Sequence, residues 1–243
     1  DPRWLRVLFP VCALLSMAGL FRLGRIRWRG WKRRHAKRER GAGAWAAFVN
    51  AWKDAFRILR DDRSFRTYEI GFMLYGFGFL MFVPQAVVYA EQDLGLSYGA
   101  WTWARGVAFP VGIGLAAALA GRLSDRFGVV RTTAAAFALL AGVFLSMPHV
   151  ETEAAVIVVW GLFGIVMAAV DVGWSLGPLH FAPKDRASAY VAVHFGLVGV
   201  RSAVAPALGY LLKTGISFTF TCAVSALFAV GASLTVALVV PRR

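Results

Sequence analysis

The sequence predicts an all-α, polytopic membrane protein with about seven transmembrane helices. Hydrophobic residues make up 58% of the 243 residues and charged residues only 16%, with a mean hydropathy of +0.60. A soluble domain is far less apolar than this. The apolar stretches are long and continuous, without the period-two alternation of a membrane β-barrel. Because an open sheet leaves its backbone unpaired in lipid, the spans are predicted to be helices.

Seven apolar stretches approach the roughly 20 residues that a helix needs to cross about 30 Å of hydrocarbon. They cover residues 4–21, 70–90, 100–121, 131–147, 154–180, 189–212 and 217–240. The charges fit this count. Ten Lys and Arg residues lie between Arg22 and Arg40, directly after the first stretch. Such a run is typical of a cytoplasmic loop, where each basic residue attracts anionic lipid by about 1 kcal/mol.

The remaining charges predict the orientation of the chain. Seven spans place Arg122, Lys184 and Arg243 on the same side as the basic run, and Glu91 and Glu151 on the opposite side. This alternation predicts an outer N-terminus and a cytoplasmic C-terminus, in a plasma (inner) membrane. The position of the basic residues beside a span argues against nucleic acid as the partner, despite the net charge of +14. Anionic membrane lipid is the expected partner of this basic linker.

Residues 44–60 are predicted to form an amphipathic helix between the basic run and the second span. Apolar side chains recur there at helical spacing, namely at Trp45, Phe48, Val49, Trp52, Phe56 and Leu59. The helix is expected in the membrane interface or across the inner ends of the bundle, with binding of a calmodulin-like partner as the alternative. The predicted domains are a single span (1–21), a cytoplasmic linker (22–68) and a six-helix bundle (69–243).

The loop between the third and fourth spans contains a recognisable motif. It reads Gly-Arg-Leu-Ser-Asp-Arg-Phe-Gly from Gly121 to Gly128. This motif is similar to the G-x-L-x-D-R-x-G signature of the major facilitator superfamily of secondary transporters, which joins the second and third helices of a six-helix half on the cytoplasmic side. Gly121 and Gly128 are expected to allow a tight turn. Asp125 is expected to meet a helix N-terminus and Arg126 the carbonyl end of another helix.

The resemblance implies a six-helix C-terminal half, preceded by the last helix and the central linker of a twelve-helix transporter. Its implied partners are a small-molecule solute, a coupling proton or ion, and the missing N-terminal helices of the same transporter. Binding is then expected near the midplane, with alternating access to each side. No enzyme activity, cofactor or metal is expected. The sequence also lacks the Gly-rich loop that binds ATP phosphates.

Ionisable residues inside the spans are the first candidates for the solute or proton pathway, because a charge at the bilayer centre costs at least about 2.5 to 3.5 kcal/mol. Asp171 and Arg201 lie at similar depths in neighbouring spans. They are predicted to form a mid-membrane ion pair, although either could instead engage a charged solute or a proton.

Four further residues complete the candidate set. Tyr190 and His194 share a helix face with Arg201 that is expected to look into the cavity. His194 is either a neutral, hydrogen-bonded histidine or a proton carrier. Arg105 either extends to the outer interface or attracts an anion. Trp160 belongs to a helical stripe that either lines the path or packs in the bundle.

Two other classes of protein stay open at this stage. Residues 173–177 read G-x-S-x-G, and His194 falls at a similar depth to Ser175, so an intramembrane serine hydrolase is one alternative. The hydrolase motif, however, needs a strand-to-helix turn that an all-helical chain lacks. A noncatalytic seven-helix receptor is the other alternative.

Overall fold

The computed structural model describes residues 44–239, together with Leu14 and Met17. Apart from these two residues, the predicted first span (4–21) and the basic run lie outside the described residues. The described chain contains six helices that are long and apolar enough to cross a membrane. The predicted all-α, polytopic fold and the six spans of the bundle are therefore confirmed.

A helix precedes the six spans in the region where the sequence predicts an amphipathic helix at residues 44–60. In chain order the helices are α1 (Ala44–Asp61), α2 (Arg63–Asp93), α3 (Tyr98–Phe127), α4 (Val129–His149), α5 (Glu153–Phe181), α6 (Ala187–Gly215) and α7 (Phe218–Ala237). Helix α2 ends in a π-helical turn over Tyr89–Asp93, and α3 contains another over Thr102–Ala108.

Short polar side chains mark the starts of several helices. Asp62 accepts a hydrogen bond from the backbone N–H of Phe65 at 3.1 Å and caps α2. Ser217 caps α7 in the same way through Phe220, at 3.0 Å. Each cap satisfies a backbone N–H that has no partner within its own helix. These caps explain why one apolar sequence divides into separate helices at these points.

The helices of the block pack around a core rich in aromatic side chains. Helix α2 packs against α6 and α7, α3 packs against α5, and α4 packs against α5 and α7. Fully buried aromatic residues fill the centre, among them Phe72 on α2, Phe137 on α4 and Phe163 on α5. We refer to two of these contacts as the α2–α6 interface and the α3–α5 interface.

The α3–α5 interface consists of small residues. A Cβ atom on Gly112 would lie 3.0 Å from the backbone N of Ile165, and one on Gly164 would lie 3.1 Å from the backbone N of Ile113. Further along, Ala116 and Ala120 are buried against Ala168. Small residues let two helix backbones approach this closely.

The motif loop joins α3 to α4, the second and third spans of the block, as predicted. Gly128 alone forms the turn, with a φ of 86° that favours glycine. The predicted role of Gly121 in the turn is wrong, because the hydrogen bonding of α3 continues through it to Phe127. Asp125 and Arg126 are exposed in the last turn of α3, and neither forms a hydrogen bond or ion pair with another helix of the described part of the chain.

Candidate functional site

Polar side chains connect α2 to α6 at several depths. Tyr190 donates a hydrogen bond to Asp62 at 2.9 Å, His194 contacts Glu69, and Arg201 donates to the carbonyl oxygen of Phe72. At the far end of the same two helices, Lys213 pairs with Asp93 at 3.0 Å. The residue numbers increase together along both helices, so α2 and α6 run parallel.

The buried pair of Glu69 and His194 is the centre of this interface. Nδ1 of His194 lies 3.0 Å from each carboxylate oxygen of Glu69. The side chains are only 2% and 1% exposed, respectively. The rings of Phe72 and Trp174 meet the imidazole edge-on, with centroids 5.2 and 4.7 Å away. An acid and a base are thus held in contact and shielded from solvent by aromatic rings.

The second ring nitrogen of His194 is not used in its contact with Glu69. Nε2 is buried and has no hydrogen-bond partner among the described residues. Buried polar atoms normally find such a partner, since an unsatisfied one costs about 1 to 3 kcal/mol. The pair therefore keeps an unused position for a proton or a polar group.

Arg201 lies beside this pair and is only 4% exposed. Its guanidinium carbon is 5.5 Å from the ring centroid of Tyr75 and 5.4 Å from that of Trp174. Such distances are typical of cation–π contacts, which stabilise a cation away from water. Gly76 leaves room for the group, because a Cβ atom there would overlap the guanidinium. Nε of Arg201 has no hydrogen-bond partner among the described residues.

The predicted ion pair of Asp171 and Arg201 is wrong. Asp171 is exposed on α5, and it forms no ion pair with any described residue. The buried face of α6 meets α2 and the ring of Trp174 on α5, and Asp171 lies outside this contact. For the same reason, the helix face with Tyr190, His194 and Arg201 packs inside the block instead of facing a cavity.

Glu69 is the residue that the sequence prediction missed. The predicted span began at residue 70, whereas α2 begins at Arg63 and carries Glu69 inside the bundle. The sequence around Glu69 nevertheless contained a signal for a longer helix. Phe65, Tyr68 and Phe72 are apolar residues at helical spacing around this single carboxylate, which indicates that the helix extends past it.

Arg105 and Trp160 meet at the α3–α5 interface, near the end opposite the motif loop. The guanidinium carbon of Arg105 lies 4.4 Å from the ring centroid of Phe109 and 5.6 Å from that of Trp160. Arg105 itself is exposed, whereas Trp160 is only 1% exposed. Trp160 therefore packs within the block, and Arg105 places a charge over its aromatic surface.

The G-x-S-x-G residues lie inside the continuous helix α5 and not in a strand-to-helix turn. Gly173 packs against Thr133, and Gly177 packs against the ring of Tyr68, so both glycines have packing roles. Ser175 is exposed and makes no hydrogen bond to His194. The hydrolase alternative gains no support from this arrangement.

Six apolar helices around buried charged residues define a multi-pass integral membrane protein. A family model described as Major Facilitator Superfamily matches residues 68–243, more than two thirds of the chain. The chain therefore belongs to the major facilitator superfamily and is a secondary transporter. Comparisons with curated proteins and with solved structures gave no match. The resemblance first seen in the motif loop is confirmed over the whole six-helix block.

Proposed function

We propose that this chain moves a small solute together with protons and that Glu69 and His194 form the proton-binding site. The observation that carries this proposal is an acid and a base held 3.0 Å apart at 2% exposure or less. Imidazole and carboxylate groups both accept and release protons, which suits a reversible proton carrier. Ionisable groups buried at membrane depth are costly and are commonly functional.

The chemistry depends on the charge of the pair. With one shared proton, Glu69 and His194 form either a salt bridge or a neutral hydrogen bond, and the pair has no net charge. Loss of that proton leaves one negative charge buried between α2 and α6 beside Arg201. Because α2 and α6 each contribute one partner, the protonation state changes the attraction between these two helices. A change in their packing is the kind of small shift that rocking transport requires.

The solute is proposed to contact exposed residues next to this pair. Asp171 lies one helical turn before Trp174 on α5, and Trp174 contacts both His194 and Arg201. A solute bound at Asp171 would thereby touch the aromatic side chain that covers the proton site. Arg105 is proposed as a second contact nearer the other end of the bundle.

The wider arrangement is also a proposal. The described helices would form a C-terminal half, and helices of an N-terminal half would close the cavity against exposed apolar residues such as Leu115, which is 77% exposed. The C-terminus and the motif loop would lie in the cytoplasm, in a plasma membrane. The linker of residues 22–68 would bind anionic lipid through its basic run.

Proton movement in proteoliposomes tests the proposal. The complete transporter, with a pH-sensitive dye enclosed in the vesicles, is offered cationic, anionic and neutral solutes in turn. At least one class is expected to drive proton entry. Glu69→Gln and His194→Gln should abolish proton entry while solute exchange between the two sides continues.

Glu153→Gln is the matched control, because Glu153 is an exposed carboxylate that bonds Ser97 at 2.8 Å on the α3–α5 side of the block. This variant should retain proton entry. Solute-driven proton entry that persists in both Glu69→Gln and His194→Gln would show that the proton site lies elsewhere.

A further inference from the structure

A groove of about 630 Å³ lies between α1, α2, α6 and α7. We infer that it binds one anionic phospholipid, with an acyl chain along the helices and the phosphate at Arg60 and Arg66. The walls are apolar and include Ile70, Met73, Phe77, Leu197, Leu208 and Phe228. The groove lies on the outer surface of the block and shares one lining residue, Glu69, with the proposed proton site.

The length of the groove fits one leaflet of a bilayer. Its α2 wall runs from Arg66 to Phe77, which at 1.5 Å per residue is about 16 Å. The hydrocarbon core of a bilayer is about 30 Å thick, so the groove ends near the middle of the membrane. A helix from another part of the transporter would cross the whole thickness. An acyl chain of a single leaflet ends where the groove ends.

The charges gather at the end of the groove nearest α1. Nη1 of Arg66 donates to the carbonyl oxygens of Leu59 and Arg60, at 2.9 and 3.1 Å, and this holds the guanidinium at the end of α1. Arg60 is exposed, lines the groove and pairs with Asp61 at 3.2 Å on the surface. The acidic residue of the lining, Glu69, faces His194. The groove therefore has two guanidinium groups at one end, Arg60 and Arg66, where the phosphate of an anionic lipid would bind in competition with the exposed carboxylate of Asp61.

Helix α1 places this charged end at the level of the lipid headgroups. Phe56 also lines the groove and is 76% exposed, while the basic residues Lys53 and Arg57 are exposed on the same helix. A helix with large apolar side chains and exposed basic residues lies in the membrane interface. An acyl chain entering beside α1 would thus have its headgroup at the correct depth.

Native mass spectrometry of the purified chain in detergent tests this inference. The protein is titrated with dioleoyl-phosphatidylglycerol or with dioleoyl-phosphatidylcholine, and bound lipid is counted. The anionic lipid is expected to bind more tightly. Arg60→Gln should weaken its binding about fivefold and leave the zwitterionic lipid unaffected.

Arg57→Gln is the matched control for charge. Arg57 lies on the same helix and also pairs with an aspartate, Asp54, but it does not line the groove. Its replacement should leave lipid binding unchanged. If Arg57→Gln and Arg60→Gln weakened lipid binding equally, the lipid would be attracted to the basic surface in general. That result would overturn the inference of a specific site.

Two tryptophan substitutions test the acyl chain. Leu208→Trp fills the groove at a residue that is 40% exposed, and it should reduce the binding of both lipids. Leu227→Trp lies on α7 outside the groove, is 71% exposed, and should have no effect. Unchanged binding in Leu208→Trp would overturn the inference. A protein dimer that forms in place of lipid binding would assign the groove to a second copy of the chain and would overturn it as well.

Discussion

The two helix interfaces of the block hold their helices together in opposite ways. Across the α3–α5 interface, Gly112 and Gly164 bring the backbones into direct contact, and the charge of Arg105 lies at the exposed edge of the interface over aromatic rings. Across the α2–α6 interface, a buried acid, base and arginine meet between the helices. An interface fixed by shape has one favourable arrangement, whereas one fixed by ionisable groups changes strength with their charge. We therefore expect α3 and α5 to move as a rigid unit and α2 and α6 to respond to protons.

The largest effect is expected when one partner of the buried pair is removed. Glu69→Leu leaves His194 buried without its acceptor and should lower the free energy of unfolding by about 3 kcal/mol. The double variant Glu69→Leu, His194→Leu should recover most of this loss, because neither polar group remains. Unfolding in mixed micelles, followed by circular dichroism, measures all the variants. Additive losses in the double variant would show that the two residues do not interact.

The α3–α5 interface is tested by adding a single methyl group. Gly164→Ala places a Cβ atom against the backbone of α3, which cannot move aside. This variant should lower the free energy of unfolding by about 2 kcal/mol. Gly114→Ala is the matched control on α3, since nothing lies within 4 Å of a Cβ atom there. That variant should be neutral or more stable by about 0.5 kcal/mol. Equal stability of the two variants in the same unfolding assay would contradict close backbone packing.

Much of the fold was predictable from the sequence, because the membrane imposes length and continuity on each span. The motif loop was placed correctly between α3 and α4, since a hydrophilic loop between two spans has few positions available. The contact of small residues between α3 and α5 was predictable in part. Gly112, Ala116 and Ala120 are buried as one row, whereas Gly114 and Ala118 are exposed on another face of the same helix.

The candidate site was harder to predict because sequence gives depth and helix face but not the neighbouring helix. Tyr190, His194 and Arg201 do share one face, yet the polar partners of that face lie on α2, while α5 contributes the ring of Trp174. The arrangement of helices in the block decides such contacts. Glu69 was missed for a different reason. A span predicted from hydropathy ends at the first carboxylate, even when that carboxylate is paired with a buried base.

A smaller effect is expected at Gly76, where an added methyl group would displace the guanidinium of Arg201. Gly76→Ala should lower the free energy of unfolding by only about 1 kcal/mol, because the end of the long Arg201 side chain can move aside. In an Arg201→Ala background this cost should disappear. Gly71→Ala is the control, since its Cβ atom would meet α7 at the backbone oxygen of Ala232, 3.1 Å away, whether or not Arg201 is present. A cost at Gly76 that persists without Arg201 would remove the proposed contact.

The smallest effect is expected at the far end of the same interface. Lys213 and Asp93 pair at 3.0 Å, but their side chains are 12% and 48% exposed. Solvent and salt weaken such a pair, so Lys213→Met should lower the free energy of unfolding by no more than about 0.5 kcal/mol. The loss should become smaller as the ionic strength rises. The same unfolding assay at low and high salt measures this. A loss as large as that of Glu69→Leu would mean that burial does not set the strength of these contacts, and the α2–α6 interface would then respond to charge along its whole length rather than at the buried pair.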